Sequence, residues 1–241
     1  MKSVLDVRRV SYRYPDGTRA LENVAFNLLE GERLAVIGPN GAGKSTLFFH
    51  LNGTFQGEGE IDILGERLNG RTLAAARRHV GLVFQDPNDQ LFMPTVFEDV
   101  AFGPVNLGYS ETEVRERVQK ALRQIGMEGS EALTPHHLSM GQRKKVALAT
   151  VLAMAPRILA FDEPSSGLDP RSRRQLIELL KTLPQSQLIA THDLDLVLDV
   201  CHRAILLDGG RIVGEGKVPQ IFDQEELLSA HGLEKPLRMQ M

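Results

Sequence analysis

The chain has 241 residues, 24% of them charged and 42% hydrophobic, with a formal net charge of -3. That is the balance of an ordinary globular protein with one sizeable core, without the Lys/Arg excess of a nucleic-acid binder. The lone cysteine, Cys201, excludes an intramolecular disulfide and points to a reducing, cytosolic compartment. The most apolar stretch, Val146 to Ala155, is far short of the roughly 20 apolar residues of a membrane span, and the N-terminus MKSVLDVRRV lacks a signal-peptide pattern, so any work at a membrane is expected to be peripheral.

In chain order, Val4 to Val10, Ala25 to Leu29 and Gly59 to Leu64 read as short strands, with Pro15-Asp16-Gly17 as a turn, and predict an antiparallel sheet. Four almost wholly apolar runs begin at Leu34 (LAVIG), Val80 (VGLVF), Ile158 (ILAF) and Leu188 (LIAT). Runs apolar on both faces suit strands of a parallel α/β sheet, with helical crossovers between them. The segment from about Asn88 to Thr150 differs: a loop rich in Pro, Asn and Asp, then a helix. Ser110 and Glu113 fit a capping box, Val114, Val118, Ala121, Leu122 and Ile125 recur at helical spacing, and Gly126 is a stop. The predicted fold is α/β of the P-loop type: a mainly parallel sheet, an antiparallel N-terminal β subdomain and an inserted helical lobe. Residues 1–87 and 151–220 form the expected core, and 88–150 the lobe.

Between the first apolar run and a helical pattern stands GPNGAGKST, Gly38 to Thr46, which matches G-x-x-x-x-G-K-[ST]. A triphosphate needs dense, fixed donors. Glycine lets the backbone N–H groups of residues 41–46 converge on phosphate without a Cβ in the way, and the following helix adds its positive end. Gly38, Asn40, Gly41, Ala42, Gly43, Lys44, Ser45 and Thr46 are the candidate ATP contacts. Lys44 supplies a full charge for the β- and γ-phosphates, and Ser45 offers its hydroxyl to Mg²⁺. ILAFDEP then ends an apolar strand in two acids: Asp162 beside the Mg²⁺ water shell, and Glu163 where it can take a proton from attacking water.

The deciding residues are LSMGQ, Leu138 to Gln142, which resemble the LSGGQ signature of the ABC ATPases. The family's other landmarks follow in order. Gln85 matches the Q-loop glutamine, a Mg²⁺ and ATP contact; Asp169 in SGLD matches the D-loop; His192 in ATHD matches the switch histidine. Tyr14 stands where the family places the aromatic that stacks on adenine, with Tyr12 as the fallback. The resemblance implies that Glu163, His192 and Lys44 carry catalysis, and that Ser139, Gly141 and Gln142 meet the γ-phosphate held by an opposite subunit. The chain departs from the pattern at Met140, where the family usually has glycine. Some landmarks also have a plain structural reading. Ser139 and Gln142 are spaced as a capping box, and Asp169 before Pro170 reads as a helix N-cap.

The run from Val83, VFQDPNDQLFMPTVFEDVAFGPVNLGYSE, resembles the ATPases of energy-coupling-factor importers, including cobalt and nickel uptake systems, and the tail from residue 221 looks like their short C-terminal extension. That branch implies a second ATPase subunit, a transmembrane coupling protein and a substrate-binding membrane protein as partners. It implies a place on the cytoplasmic face of the cell membrane, and a transition-metal ion or a vitamin as cargo. His136-His137 lacks further ligands nearby and reads as loop. A soluble assembly factor is the competing function. The long coiled coil of chromosome and repair ATPases and the tandem domains of translation ATPases have no counterpart in this sequence.

Overall fold

The computed structural model describes residues 2–240. Strands β1 (Ser3–Arg13) and β2 (Arg19–Leu29) pair antiparallel around the anticipated turn, where Gly17 takes φ 91° and Asp16 Oδ1 accepts from the Thr18 N–H at 2.8 Å. Both strands run longer than the apolar runs suggested, because their polar residues still find ladder partners. Next come β3 (Arg33–Ile37), α1 (Lys44–Leu51), β4 (Glu58–Ile63), the short β5 (Glu66–Arg67), α2 (Leu73–His79) and β6 (Val80–Val83). Then follow α3 (Val96–Asn106), α4 (Glu111–Gln124), α5 (Met140–Leu152), β7 (Ile158–Asp162), α6 (Pro170–Thr182), β8 (Ser186–Thr191) and α7 (Leu194–Val200). The chain continues through β9 (Arg203–Asp208), β10 (Arg211–Lys217), α8 (Val218–Phe222) and α9 (Glu225–Ala230).

Two sheets form. The smaller has the order β2-β1-β4-β5 and the larger β10-β9-β3-β8-β7-β6. In the larger sheet β3 pairs parallel with β8 and β9, and β7 parallel with β6 and β8, while β10 closes one edge antiparallel. Strands β9 and β10 are additions to the sequence reading. RAILLD of β9 is as apolar as its neighbours; RIVGEGK of β10 is broken by two glycines. Each central strand divides its side chains between two cores, as a period of two requires. Leu34, Val36, Ile158, Ala160 and Leu188 face α1 and the antiparallel sheet, whereas Ala35, Ile37, Leu159, Phe161 and Ile189 face α5 and its neighbours.

Helices α3, α4 and α5 lie between β6 and β7 in the chain and pack on one another. The capping box at Ser110 and Glu113 is formed, and Gly126 ends α4 at φ 66°. Helix α3 was hidden in the sequence by Gly103 and Pro104. It is opened by a second capping box, Thr95 with Glu98, and tolerates Pro104 in its last turn. Cys201 is buried, and burial pushes its thiol up to about 12, so it serves as a small apolar residue. Leu148 anchors α5 with 1% exposure. Leu148→Ala is expected to lower unfolding free energy by about 2–5 kcal/mol, measured by urea denaturation of the full chain; a loss under about 1 kcal/mol would show that the site collapses around the change.

Candidate functional site

Strand β3 ends at Ile37 and the chain turns through the glycine-rich loop into α1. Gly43, the residue before α1, takes φ 104°, and a Cβ there would lie 2.5 Å from the Ala20 carbonyl oxygen. Only glycine fits both the left-handed backbone and the close approach of β2. Lys44 is buried, and its Nζ donates to the carbonyls of Gly38 (2.7 Å) and Pro39 (3.0 Å) while lying 3.7 Å from Glu163 Oε1. Burial lowers this ammonium; the carboxylates of Glu163 and Asp162 pull the other way. Tyr14, Thr18, Arg19 and Ala20 form one wall of a cleft, and residues 40–46, Gln85, Asp162 and Glu163 form the rest. The Tyr14 hydroxyl shares a 2.8 Å hydrogen bond with Thr46 Oγ1. Tyr12, by contrast, stacks on Phe55 at 5.2 Å and lies outside this cleft.

Both acids sit at the C-terminal end of β7, where ligand sites of parallel sheets form. Asp162 and Glu163 are 9% and 6% exposed, and Asp162 Oδ1 and Glu163 Oε1 have no hydrogen-bond partner among the described residues. Burial raises the Asp162 carboxyl, the Ser45 hydroxyl draws it down, and the Glu163 charge raises it again. Glu163 is held more tightly on its other oxygen. Oε2 accepts from Thr191 Oγ1 at 3.0 Å and the His192 N–H at 3.3 Å, and His192 Nδ1 lies 2.9 Å away. Buried acceptors without partners are costly unless a cation or donor meets them. The Ser45 hydroxyl, the Gln85 amide and the Asp162 carboxylate supply the all-oxygen donor set that a hard cation such as Mg²⁺ takes. With Lys44 and the converging loop N–H groups, the cleft fits a magnesium nucleotide.

Ser139, Gly141, Gln142 and Asp169 stand apart from that cleft. Ser139 caps α5: its Oγ accepts from the Gln142 N–H at 3.3 Å, and Gln142 Oε1 accepts from the Ser139 N–H at 2.9 Å. Asp169 caps α6 by accepting from the N–H groups of Arg171 (2.9 Å) and Ser172 (3.0 Å). The two caps are neighbours, because a Cβ on Gly141 would lie 2.7 Å from Ser172 Oγ. Met140, partly exposed, is the first residue of α5. So one copy of the chain gathers two half-sites: a cleft at the ends of β3 and β7, and a pair of capped helix N-termini elsewhere.

Several participants were missed by sequence reasoning. Thr191 carries no signal beyond its place before His192. Thr18, Arg19 and Ala20 follow the PDG turn, which could have marked them as facing the loop. Asp193 accepts both guanidinium bonds of Arg173 at 2.7 Å and one from Ser165 Oγ at 3.0 Å, tying α6 to α7 behind His192. Burial alone would raise the Asp193 carboxyl, but the Arg173 guanidinium holds it below the usual range. Lys144 is buried on α5, where burial lowers its ammonium to about 8 against the pull of Asp86, Glu163 and Asp162. His136 and His137 are exposed on a short 3-10 turn, and no cluster of His, Cys, Asp and Glu suited to a metal occurs among the described residues.

Comparison with known proteins gives a consistent result. The ABC transporter family profile matches residues 21–166. A putative ABC transporter ATP-binding protein of Gloeobacter violaceus is 53% identical over 98% of this chain and 98% of its own length. The energy-coupling factor transporter ATP-binding protein EcfA of Methanothermobacter thermautotrophicus is 47% identical over 97% of this chain and 77% of its own length. Among solved structures, CbiO1 of Clostridium perfringens, described as part of the ABC transporter complex CbiONQ, superposes with a TM-score of 0.85 at 38% identity, over 95% of this chain and 94% of that one. The dimeric cassette MJ0796, bound to ADP and phosphate after hydrolysis, superposes with a TM-score of 0.79 at 31% identity, over 89% of this chain and 98% of that one.

Gly43→Ala tests the cleft directly. A side chain in the left-handed region costs about 1–3 kcal/mol, and relief of the strain must move the loop, so ATP affinity is expected to fall roughly tenfold or more in a folded protein. Titration with a fluorescent ATP analogue checks it; affinity equal to the parent's would mean that the loop is not the nucleotide contact.

Proposed function

The chain belongs to the ABC transporter family as an ATP-hydrolysing subunit, and we propose that it is the motor of an energy-coupling-factor importer, working in pairs at the cytoplasmic face of the cell membrane. The observation that carries the reading is the division of the site. The phosphate cleft and the capped N-terminus of α5 are both formed, yet they are separate within one copy. Two copies, or this chain and a close relative, facing each other would place each cleft against the other's α5. The dimeric form of MJ0796 and the naming of EcfA and CbiO1 support this arrangement. In functional terms, residues 1–87 and 151–220 hold nucleotide, 88–150 carry the signature, and 221–241 extend the C-terminus.

Each residue's part follows from its setting. The loop N–H groups and the positive end of α1 hold the phosphates, Lys44 leaves its loop carbonyls for the β- and γ-phosphates, and Tyr14 stacks on the base. Ser45 and Gln85, with Asp162 through water, would hold a Mg²⁺ ion, which would neutralise phosphate charge. Glu163 takes the proton of the attacking water on Oε1, which accepts no hydrogen bond in the fold and has Lys44 Nζ 3.7 Å away; its other oxygen is already aimed by Thr191 and His192. His192, whose side chain is 59% exposed, is free to reach the γ-phosphate as well. Ser139, Gly141 and Gln142 offer the free N–H groups of α5 to the phosphate of the opposite copy. Asp169 holds the adjoining cap. Closure is a population shift, because ATP touches both halves only when they meet.

The face turned to the membrane is the helical segment. Among the described residues the exposed large apolar side chains are Phe92, Phe102, Val105 and Leu133, and all belong to the stretch between β6 and α5. Phe92 is 61% exposed and meets Phe102 edge-on at 5.0 Å. Its loop is pinned: Asp99 Oδ1 accepts from the N–H groups of Phe92 and Met93, both at 3.0 Å, while Leu91 and Val96 are buried beneath. A fixed aromatic platform of this kind suits a helix of a membrane protein docking in a groove. No helix among the described residues is long and apolar enough to cross a membrane itself. The cargo we favour is a transition-metal ion, cobalt or nickel first, with a vitamin as the other candidate; the support is the resemblance of the run from Val83 to the ATPases of cobalt and nickel uptake systems.

Glu163→Gln is expected to slow hydrolysis by about 10²–10⁴-fold, the usual worth of a general base, while ATP still binds and holds a dimer on size exclusion. Near-normal turnover together with a monomer in Mg-ATP would remove Glu163 from this role. Phe92→Asp is expected to leave ATP binding intact and abolish co-purification with the membrane partners. If the parent chain stays in the soluble fraction when co-expressed with its genomic neighbours, the importer reading gives way to a soluble assembly factor.

A further inference from the structure

Lys144 is a buried cation, 6% exposed, that lies outside the nucleotide cleft. It stands in the second turn of α5, just past the capping box of Ser139 and Gln142. Its Nζ donates to the backbone carbonyls of Glu163 (3.2 Å) and Pro164 (3.0 Å). A buried ammonium is costly, and replacement by an apolar side chain of similar volume is often neutral or stabilising for a fold. A role in packing alone therefore gives little reason for a lysine at this position.

The carbonyl it holds belongs to an unusual residue. Glu163 has φ 44°, a left-handed conformation that costs a non-glycine residue about 1–3 kcal/mol and persists only where neighbours over-determine it. The neighbours are few. The Glu163 N–H donates to Ala190 O at 2.9 Å, and its carbonyl accepts from the Ser166 N–H at 3.1 Å and from Lys144. Lys144 is the contact that comes from α5. That helix is fastened at two further points to the segment behind Gln85. Gln90 Nε2 donates to Ala147 O and Thr150 Oγ1, both at 2.8 Å, while its Oε1 accepts from the Phe84 N–H at 3.1 Å. Arg143 Nη1 donates to Asn88 Oδ1 at 2.7 Å.

We propose that Lys144 is a positioning residue for hydrolysis: it fixes the strained turn that aims the Glu163 carboxylate, and so makes that carboxylate respond to where α5 stands. The inference rests on the reading of Glu163 as the base and of the α5 N-terminus as the contact to the opposite copy's nucleotide. Under it, ATP in one cleft draws in the opposite α5, and the Lys144 of that helix sets the base of its own copy. Two clefts then fire together, although neither touches the other's base.

The test uses the full chain with Lys144→Met, which keeps the length and apolar stem and removes the donor, and Lys144→Arg, which keeps a donor and the charge. ATP turnover is read as kcat and KM, ATP affinity by fluorescent-analogue titration, and coupling by the Hill coefficient of turnover. Lys144→Met is expected to lower kcat by about 10- to 100-fold, the effect of a misplaced catalytic group, with affinity within about twofold of the parent. Any positive cooperativity of the parent is expected to fall toward a Hill coefficient of about 1, and Lys144→Arg to recover most of kcat. A Lys144→Met protein with the parent's kcat overturns the proposal. So does parallel loss of affinity and turnover without recovery in Lys144→Arg, which would mark a packing role. Glu163→Gln keeps the two readings apart: if it hydrolyses normally, the base assignment has failed; if it is dead and Lys144→Met is normal, only the role of Lys144 has failed.

Discussion

Three buried charges at the edge of one sheet organise the molecule. Lys44, Asp162 and Glu163 are all buried where they line one cleft, and an isolated charge so buried is strongly disfavoured. The fold meets part of that cost internally, with loop carbonyls on Lys44 and with Thr191 and His192 on one oxygen of Glu163. It leaves Asp162 Oδ1 and Glu163 Oε1 without hydrogen-bond partners, the latter with Lys44 Nζ 3.7 Å away. A site built in this way suits a polyanion accompanied by a cation, each meeting a charge that the fold leaves uncompensated.

The parallel sheet makes this arrangement possible. Parallel pairing of β3, β8 and β7 puts the ends of all three strands on the same edge. The phosphate loop follows β3, the two acids end β7, and Thr191 with His192 ends β8. Residues far apart in the chain thus converge without any long loop. The same edge meets the antiparallel sheet, where the turn residues after Gly17 close the cleft and place Tyr14 against Thr46. Helix α5 comes from the segment between β6 and β7, and its Lys144 reaches the carbonyl of Glu163 just past the end of β7.

Hydrogen bonds join α5 to the segments on either side of it in the chain. Gln90 and Arg143 join the helix to the loop that carries Phe92, Asp99 pins that loop from α3, and Lys144 joins the helix to the turn at Glu163. The loop of Phe92, helix α5 and the turn at Glu163 are therefore linked by hydrogen bonds as well as by a shared apolar core.

The sequence by itself determined the site's chemistry and the fold's class. GPNGAGKST after an apolar strand, two acids at the end of another, and LSMGQ between them depend on short local patterns, and local patterns are what a linear reading preserves. The buried strands were legible for the same reason: both faces of each are apolar. Tertiary structure alone decided the rest. Strand β10 is polar and glycine-broken, so only its pairing with β9 makes it a strand. Helix α3 carries Gly103 and Pro104, and packing against α4 and α5 outweighs their poor propensity. Phe92 is the first choice for exposure among the apolar residues of its segment, but nothing local marked Leu91 beside it as buried, nor Lys144 as a buried neighbour of Glu163. Those facts depend on which way each element turns its faces, and that orientation is set by contacts between residues distant in the chain.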